Sequence, residues 1–217
     1  AALLKKLSQG LDGDIKKLTD GILREAGEEF NINSTQQLSR ILFEKLLIPA
    51  GGLRKTAKGG AVSIGASELE KLKSKHAIIG KILDYRELVK IKSTYVDGLP
   101  ELINPVTGRI HTTFNQTGTS TGRLSSSNPN LQNIPIMSEV GRGVRRAFIA
   151  PKGFLIASFD YSQIELRVAA HLANDERMIE AFGRGEDIHR MTAASVYNVA
   201  PERVTPDLRR AAKTLNF

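Results

Sequence analysis

Apolar residues recur at three- and four-residue steps through the first hundred residues, and this spacing predicts helices that each bury one face. The first stripe consists of Leu4, Leu7, Leu11, Ile15, Leu18 and Ile22. Gly10, Gly13 and Gly21 interrupt that stripe, so we expect breaks in the first helical segment.

Two capping boxes predict where the next helices begin. In Ser34-Thr-Gln-Gln37 the Ser34 hydroxyl accepts a backbone N–H and Gln37 reaches back. The inner stripe of that helix is Leu38, Ile41, Leu42 and Leu46. The second box, Ser67-Glu-Leu-Glu70, predicts a long third helix. Its buried side would carry Leu69, Leu72, His76, Ile79 and Leu83.

Residues 51–66, between these helices, have a different composition. They hold five glycines, the cations Arg54, Lys55 and Lys58, and no acidic residue. Such a stretch cannot bury a core, so we predict a mobile basic loop.

Beyond the predicted helices the hydrophobic period changes to two. Polar and apolar residues alternate over 110–115, as expected of a strand with two distinct faces. Val144–Ile149 and Phe154–Phe159 are further strand-like runs, and the short turn between them suggests an antiparallel hairpin. Helices resume after Asp160, and the last begins at Thr205-Pro206, an N-cap followed by proline at the first helical position. The order predicts an α+β fold.

Composition and charge narrow the function classes. The 217 residues include 31 Lys and Arg against 23 Asp and Glu, a net charge of +8, which hints at a polyanionic partner. The chain has no Cys, which excludes a disulfide framework, cysteine-ligated zinc, iron–sulfur clusters and a thiol nucleophile. A reducing, intracellular location is the simplest interpretation.

The run from Phe154 to Arg167 carries the first candidate chemistry. A carboxylate at the end of a buried strand, as predicted for Asp160, suits a hard cation such as Mg²⁺. Alternatively, Asp160 only caps the following helix, which the local sequence slightly favours. Glu165 is equally ambiguous, because Ser162-Gln-Ile-Glu165 also fits a capping box.

Two further segments contain candidate binding residues. Arg209, Lys213 and Phe217 stand at i, i+4 and i+8, so they share one helix face that could hold a triphosphate and stack against a sugar or base. Spacing alone favours a solvated basic stripe with Phe217 as a core anchor. In Thr119–Pro135, short hydroxyl and amide side chains surround Arg123. Such side chains could contact phosphates or the minor groove of DNA, but an ordinary polar loop has the same composition.

Taken together and in this order, these segments resemble family A DNA polymerases, the bacterial DNA polymerase I type. Asp160-Tyr-Ser-Gln-Ile-Glu-Leu-Arg167 resembles that family's motif A, and Arg209-Arg-Ala-Ala-Lys-Thr-Leu-Asn-Phe217 resembles the first part of its motif B. Its primer–template-binding stretch is matched by Thr121-Gly-Arg-Leu-Ser-Ser-Ser127 and Asn130-Leu-Gln-Asn133, and its thumb by Phe30-Asn-Ile-Asn-Ser34 and Lys92-Ser-Thr-Tyr95. The similarity covers nearly the whole chain.

The resemblance implies a role for each matching residue. Asp160 would be one of two principal carboxylates that hold two Mg²⁺ ions, with the Tyr161 backbone carbonyl as a further ligand. Lys213 would also give a proton to the pyrophosphate leaving group. The nucleotide-binding residues would be Gln163, Glu165, His189, Arg209, Lys213 and Phe217. The residues that contact DNA would be Asn31, Asn33, Ser34, Arg54, Lys55, Lys58, Arg86, Lys90, Arg123, Asn130, Gln132 and Asn133.

The resemblance also implies an architecture and an activity. Residues 1–104 would be a helical thumb with its basic loop at 51–66, residues 105–187 part of an antiparallel-sheet palm, and residues 188–217 the start of the fingers, ending inside motif B. The full-length protein would be a monomeric bacterial enzyme of the cytoplasm and nucleoid, without a membrane partner, that copies primer–template DNA from dNTPs. The family's motif C, which carries the second metal-binding aspartate, does not occur in these 217 residues, so we expect them to be inactive alone. The alternative is a non-catalytic module that binds duplex DNA regardless of sequence; a helical interaction protein would explain residues 1–97 but not 105–217.

Overall fold

Long helices dominate the first hundred residues. The computed structural model of the chain describes residues 2–55, 62–136 and 138–215. Within the first part lie α1 (Ala2–Ala26), α2 (Thr35–Ser39), α3 (Ala66–Glu70), α4 (Ala77–Ile91) and α5 (Gly98–Glu101). Arg40–Lys45 and Lys92–Asp97 prolong α2 and α4 as π-helical segments.

The helices α1 and α4 pack along each other and form the centre of this part. Leu4, Leu11 and Ile22 of the first stripe are buried, as the spacing predicts. The predicted breaks are wrong, because α1 runs without interruption through its three glycines. Packing of an amphipathic face supplies most of the stability of a helix in a protein and outweighs the low helix propensity of glycine.

The predicted single helix from Ser67 is also wrong, although its burial pattern is right. The N-cap of α3 is Gly65 rather than Ser67, and α3 ends at Glu70. Turns with i→i−3 hydrogen bonds follow, and α4 begins anew at Ala77 with the His76 ring accepting the N–H of Ile78 at 3.1 Å. Leu69, Leu72 and Ile79 are buried all the same.

Strands are few and short in the described residues. Strand β1 (Thr113–Asn115) pairs antiparallel with β2 (Ser125–Ser127), with Phe114 opposite Ser126. The strand at 110–115 is therefore confirmed in its second half, whereas its partner lies in the segment that composition marks as a polar loop. This mostly helical fold with one small antiparallel sheet belongs to the predicted α+β class.

The predicted hairpin of Val144–Ile149 and Phe154–Phe159 is wrong. Val144 lies in a helix, α6 (Glu139–Arg145), whose first turn is capped by the Ser138 hydroxyl accepting the N–H of Gly141 at 3.2 Å. Phe154–Phe159 has no regular secondary structure and pairs with no strand among the described residues, and its Leu155 and Phe159 side chains are 94% and 93% exposed. A strand needs hydrogen-bonding neighbours as well as apolar residues.

The chain divides into two compact units, Ala1–Phe154 and Leu155–Phe217. The second unit contains α7 (Ile164–Ala173), α8 (Glu176–Gly183), α9 (Ile188–Val196), a 3₁₀ turn (Pro201–Arg203) and α10 (Pro206–Lys213). Ala193, Val204 and Ala212 form its small core, which joins α9 and α10. The predicted N-cap Thr205 is confirmed, since its hydroxyl accepts the N–H of Leu208 at 3.3 Å. The subdomain boundaries at residues 104 and 187 stay predictions.

Candidate functional site

Asp187 is the centre of a hydrogen-bonded cluster in the second unit. As N-cap of α9, its Oδ1 accepts the backbone N–H groups of His189 at 3.0 Å and Arg190 at 3.3 Å. The Nε2 of Gln163 donates to the same oxygen at 3.3 Å, and the Nε of Arg209 donates to Oδ2 at 2.7 Å. Three predicted nucleotide-binding residues thus meet at a carboxylate that the sequence did not single out.

The charges of this cluster shift the pKa values of two of its members. Burial raises the pKa of Asp187, but the bonds from Arg209 and from the two backbone N–H groups outweigh burial, and the net pKa is lowered. His189 is only 3% exposed, and burial together with the positive charge of Arg209 and Lys213 lowers its pKa, against an opposite effect of Asp187. At neutral pH the site therefore presents an ionised Asp187 and a neutral imidazole.

Gln163 begins α7 in an uncommon conformation. Its φ of 52° lies in the left-handed region, and it provides the N-cap position without a side-chain cap. The predicted capping box at Ser162 is therefore wrong. The Gln163 Oε1 atom is buried and has no hydrogen-bond partner among the described residues. The Gln163 amide thus uses its NH₂ group to bind Asp187, while its carbonyl oxygen stays buried.

Asp160 and Tyr161 lie exposed in the irregular segment before α7. Because α7 begins at Ile164 with Gln163 as N-cap, the helix-capping alternative for Asp160 is wrong. Glu165 lies in the first turn of α7. The described residues contain no group of three or more Asp, Glu or His side chains that could hold a metal ion. Asp160 therefore offers one carboxylate, which does not by itself make a two-metal site.

A second candidate surface lies in the first unit. A cavity of about 820 Å³ is bounded by α4, its π-helical continuation and the polar segment after β2. Lys90, Asn130, Gln132 and Asn133, which are predicted DNA contacts, all line it. The hydroxyl of Tyr95 donates to the Asn133 carbonyl at 2.5 Å and so joins the polar segment to the helix. The structure brings these four predicted residues together.

The basic segment around residue 54 is more ordered at its base than the sequence predicts. Lys55 and Val62 form an antiparallel bridge, and the N–H of Ser63 donates to the Arg54 carbonyl at 2.8 Å. Glu68, which is 3% exposed, accepts from the Arg54 backbone N–H at 3.2 Å and from Lys71 at 2.8 Å. The bonds from Lys71 and Arg54 lower the Glu68 pKa despite burial. Lys58 and Phe217 lie outside the described residues.

Other predicted DNA contacts already have partners within the protein. Arg86 is half-buried, and it donates to the Ile64 carbonyl at 2.6 Å; burial lowers its pKa. Ser34 accepts the Gln37 N–H as predicted, but the Gln37 side chain reaches back to the N–H of Asn31, at 2.7 Å, rather than to Ser34. Asn33 donates to the Tyr85 hydroxyl at 3.1 Å. Arg123 lies exposed in the turn before β2, where its carbonyl accepts from the Thr119 hydroxyl.

No helix in the described part of the chain combines the length and apolar character that crossing a membrane requires.

The chain is similar to known DNA polymerases along its whole length. The family model for DNA polymerase family A matches residues 1–217. The thermostable DNA polymerase I of Thermus aquaticus is 55% identical over 216 residues, which are 100% of this chain and 26% of that protein. DNA polymerase I of Chloroflexus aurantiacus is 51% identical over 216 residues, covering 99% of this chain and 23% of that protein.

A solved structure agrees with these sequence relatives. The POL domain of Pol1 from M. smegmatis, in complex with DNA primer–template and dNTP, superposes with a TM-score of 0.86 at 40% identity, covering 99% of this chain and 37% of that one. The chain spans about a quarter of the length of the curated relatives it matches. With its family model matched from end to end, the chain belongs to DNA polymerase family A.

Proposed function

We propose that the full-length protein catalyses DNA-templated DNA synthesis, in which a primer 3′-hydroxyl attacks a dNTP and pyrophosphate leaves. The family supports this activity, and the similar solved structure is a complex with primer–template and dNTP. The relatives come from bacteria, so we expect the enzyme to work on DNA in the bacterial cytoplasm and nucleoid. We further propose that the full-length protein is a monomer.

The observation that carries the proposal is the meeting of Gln163, His189 and Arg209 around Asp187, with Lys213 close enough to affect the His189 pKa. Arginine presents a planar fork of donors to phosphate oxygens, and lysine a compact positive charge. We infer that this cluster binds the triphosphate of the incoming nucleotide. Lys213 would also protonate the leaving pyrophosphate, Glu165 would lie against the nucleotide sugar, and Phe217 would stack beside it.

The cavity beside α4 is the proposed contact with the primer–template. Its ammonium and amide donors, from Lys90, Asn130, Gln132 and Asn133, suit phosphate oxygens and minor-groove acceptors. Neither kind of contact distinguishes sequences strictly. The remaining predicted DNA contacts are Asn31, Asn33, Ser34, Arg54, Lys55, Lys58, Arg86 and Arg123.

We further propose a two-Mg²⁺ mechanism in which Asp160 supplies one carboxylate and Tyr161 a backbone carbonyl. The second carboxylate has to come from elsewhere in the full-length protein, because the 217 residues contain no His-Asp-Glu run. We therefore expect the isolated chain to be inactive.

Primer extension with Asp160→Asn tests this proposal. In the full-length protein we expect the rate to fall on the order of a thousandfold or more, because a catalytic metal supplies several kcal/mol of transition-state stabilisation. Asp14→Asn on the exposed side of α1 is the charge-matched control and should leave the rate unchanged. Extension by the isolated chain that Asp160→Asn abolishes would contradict its predicted inactivity. DNA binding without synthesis by the full-length protein would favour the non-catalytic binding module.

A further inference from the structure

We propose that Asp187 is a positioning residue of the nucleotide site, whose carboxylate fixes the Arg209 guanidinium and the Gln163 amide in the orientation that receives the triphosphate. The inference rests on the proposed polymerase function and assigns a role to a residue outside the predicted site.

The Asp187 carboxylate accepts hydrogen bonds from residues in or at the start of three helices of the second unit, which are α7, α9 and α10. Its Oδ1 accepts from the start of α9 at 3.0 and 3.3 Å and from Gln163, at the start of α7, at 3.3 Å. Its Oδ2 accepts from Arg209 in α10 at 2.7 Å. A helix cap needs only the backbone bonds to α9. The bonds to Arg209 and Gln163 are additional, and both go to residues that the family resemblance places at the nucleotide.

The bond to Arg209 leaves the phosphate-binding side of the guanidinium available. Asp187 takes the Nε–H, and no further hydrogen bond or ion pair of the Arg209 guanidinium is found within the described residues. The remaining four N–H donors belong to the two terminal nitrogens, which point away from Nε and form the fork that binds phosphate. A guanidinium already held in place loses less conformational entropy when a ligand binds.

The charge of Asp187 permits a contrary interpretation. A carboxylate beside Arg209 also competes with phosphate for the guanidinium, so Asp187 would then lower nucleotide affinity instead of raising it. The geometry favours positioning, because Asp187 bonds Arg209 from the Nε side and leaves both terminal nitrogens for the ligand. The two interpretations predict opposite effects of neutralising Asp187.

The test is Asp187→Asn in the full-length polymerase, with a dideoxy-terminated primer–template so that dNTP binding is measured without chemistry. Asparagine is as good an N-cap as aspartate, so α9 should keep its first turn. The charge-assisted bond to Arg209 is lost, and we expect the dNTP Kd to rise about tenfold. The primer–template Kd should stay within about twofold, since this cluster is proposed to contact only the nucleotide.

Asp175→Asn is the matched control. Asp175 is the N-cap of α8 and accepts the Met178 N–H at 3.0 Å, but it bonds neither an arginine nor a glutamine in the described structure. The same substitution at this cap should leave the dNTP Kd unchanged. A general effect of losing an aspartate cap would instead appear in both variants.

A double-mutant cycle with Arg209→Gln shows whether Asp187 acts through Arg209. If it does, Asp187→Asn should weaken dNTP binding little further once Arg209 is replaced. An unchanged or lower dNTP Kd for Asp187→Asn, or fully additive effects in the cycle, would overturn the inference while leaving the proposed function intact. A wild-type protein that binds no dNTP would overturn both.

Discussion

The Lys92 ammonium contacts three side-chain oxygen atoms and so joins α1 to the π-helical segment after α4. Its Nζ lies 2.7 Å from Asp97, 2.8 Å from the Ser8 hydroxyl and 3.3 Å from Asp12, and Ser8 donates to Asp97 at 2.7 Å. The Asp97 carboxylate raises the pKa of Lys92. In turn, Lys92 and then Ser8 lower the pKa of Asp97.

We expect Asp97→Asn to remove an acid-sensitive part of the stability. The Asp97 pKa is lowered in the folded protein below its ordinary value of 3.8. The ionised carboxylate therefore contributes its full share to the free energy of unfolding well above pH 4, and this share is lost as the pH falls through the folded pKa. The variant should lose about 1 kcal/mol of unfolding free energy at pH 7, a modest loss because solvent screens this partly exposed ion pair. At pH 3 the loss should be smaller. Urea unfolding at both pH values measures this difference.

Asp14→Asn is the control for that experiment, because Asp14 pairs with Lys17 at 3.5 Å on the exposed surface of α1. Such exposed pairs contribute little to stability. An equal loss for Asp97→Asn at pH 3 and pH 7 would mean that its charge does not stabilise the fold.

The sequence predicts single residues well where the interaction is local. Ser34 and Thr205 cap helices as expected, because a cap and its N–H donor lie within three residues of each other. Asp187 was missed because Arg209 and Gln163 lie 22 and 24 residues away along the chain. Its only local signal is that of an ordinary helix cap, and the tertiary packing of α9 and α10 makes it more than that.

At the scale of elements, apolar periodicity predicts burial more reliably than it predicts the type of element. The stripes of α1 and α4 are buried as expected, yet the breaks at the glycines of α1 do not occur and the helix from Ser67 stops after one turn. Phe154–Phe159 has the composition of a strand but pairs with none in the described residues. Whether an apolar run becomes a strand depends on a neighbouring strand, which the run itself does not specify.

Continuity of α1 predicts that Gly13→Ala stabilises the protein. A Cβ at Gly13 would meet nothing within 4 Å, so the substitution should gain about 0.5–1 kcal/mol from improved helix propensity. Gly10→Ala, with equally open space, should repeat the gain. Urea denaturation measures both, and a loss of stability at Gly13 would indicate a break in the helix at that point.

Gly141→Ala in α6 should have the opposite effect. A Cβ there would lie 2.7 Å from both the carbonyl oxygen and the Cβ of Pro135, and backbone cannot move aside as a flexible side chain can. We expect a loss of about 1–3 kcal/mol, as for other overpacked sites. The same denaturation experiment measures it, and a neutral result would mean that the segment around Pro135 shifts freely.

At the scale of the whole molecule, the net positive charge comes entirely from residues 1–154. Residues 155–217 carry eight Lys and Arg against nine Asp and Glu, whereas residues 1–154 carry 23 against 14. The excess of basic residues therefore accompanies the proposed DNA contacts, all of which lie in the first unit. In the second unit, which contains the proposed nucleotide site, three of the eight basic residues lie on α10, and these are Arg209, Arg210 and Lys213.

This distribution predicts how binding of duplex DNA depends on salt. If about four to six phosphates are contacted, the logarithm of the association constant should fall with the logarithm of salt concentration at a slope of roughly −4 to −5. Lys90→Ala should make that slope shallower by about 1, since one phosphate contact is lost. Lys73→Ala, which removes an exposed charge paired with Glu70 at 3.2 Å, should change it less. Fluorescence anisotropy with two duplexes of unrelated sequence measures the slopes. An association constant that does not change with salt would contradict electrostatic binding. A strong preference for one of the two duplexes would contradict a polymerase-like contact.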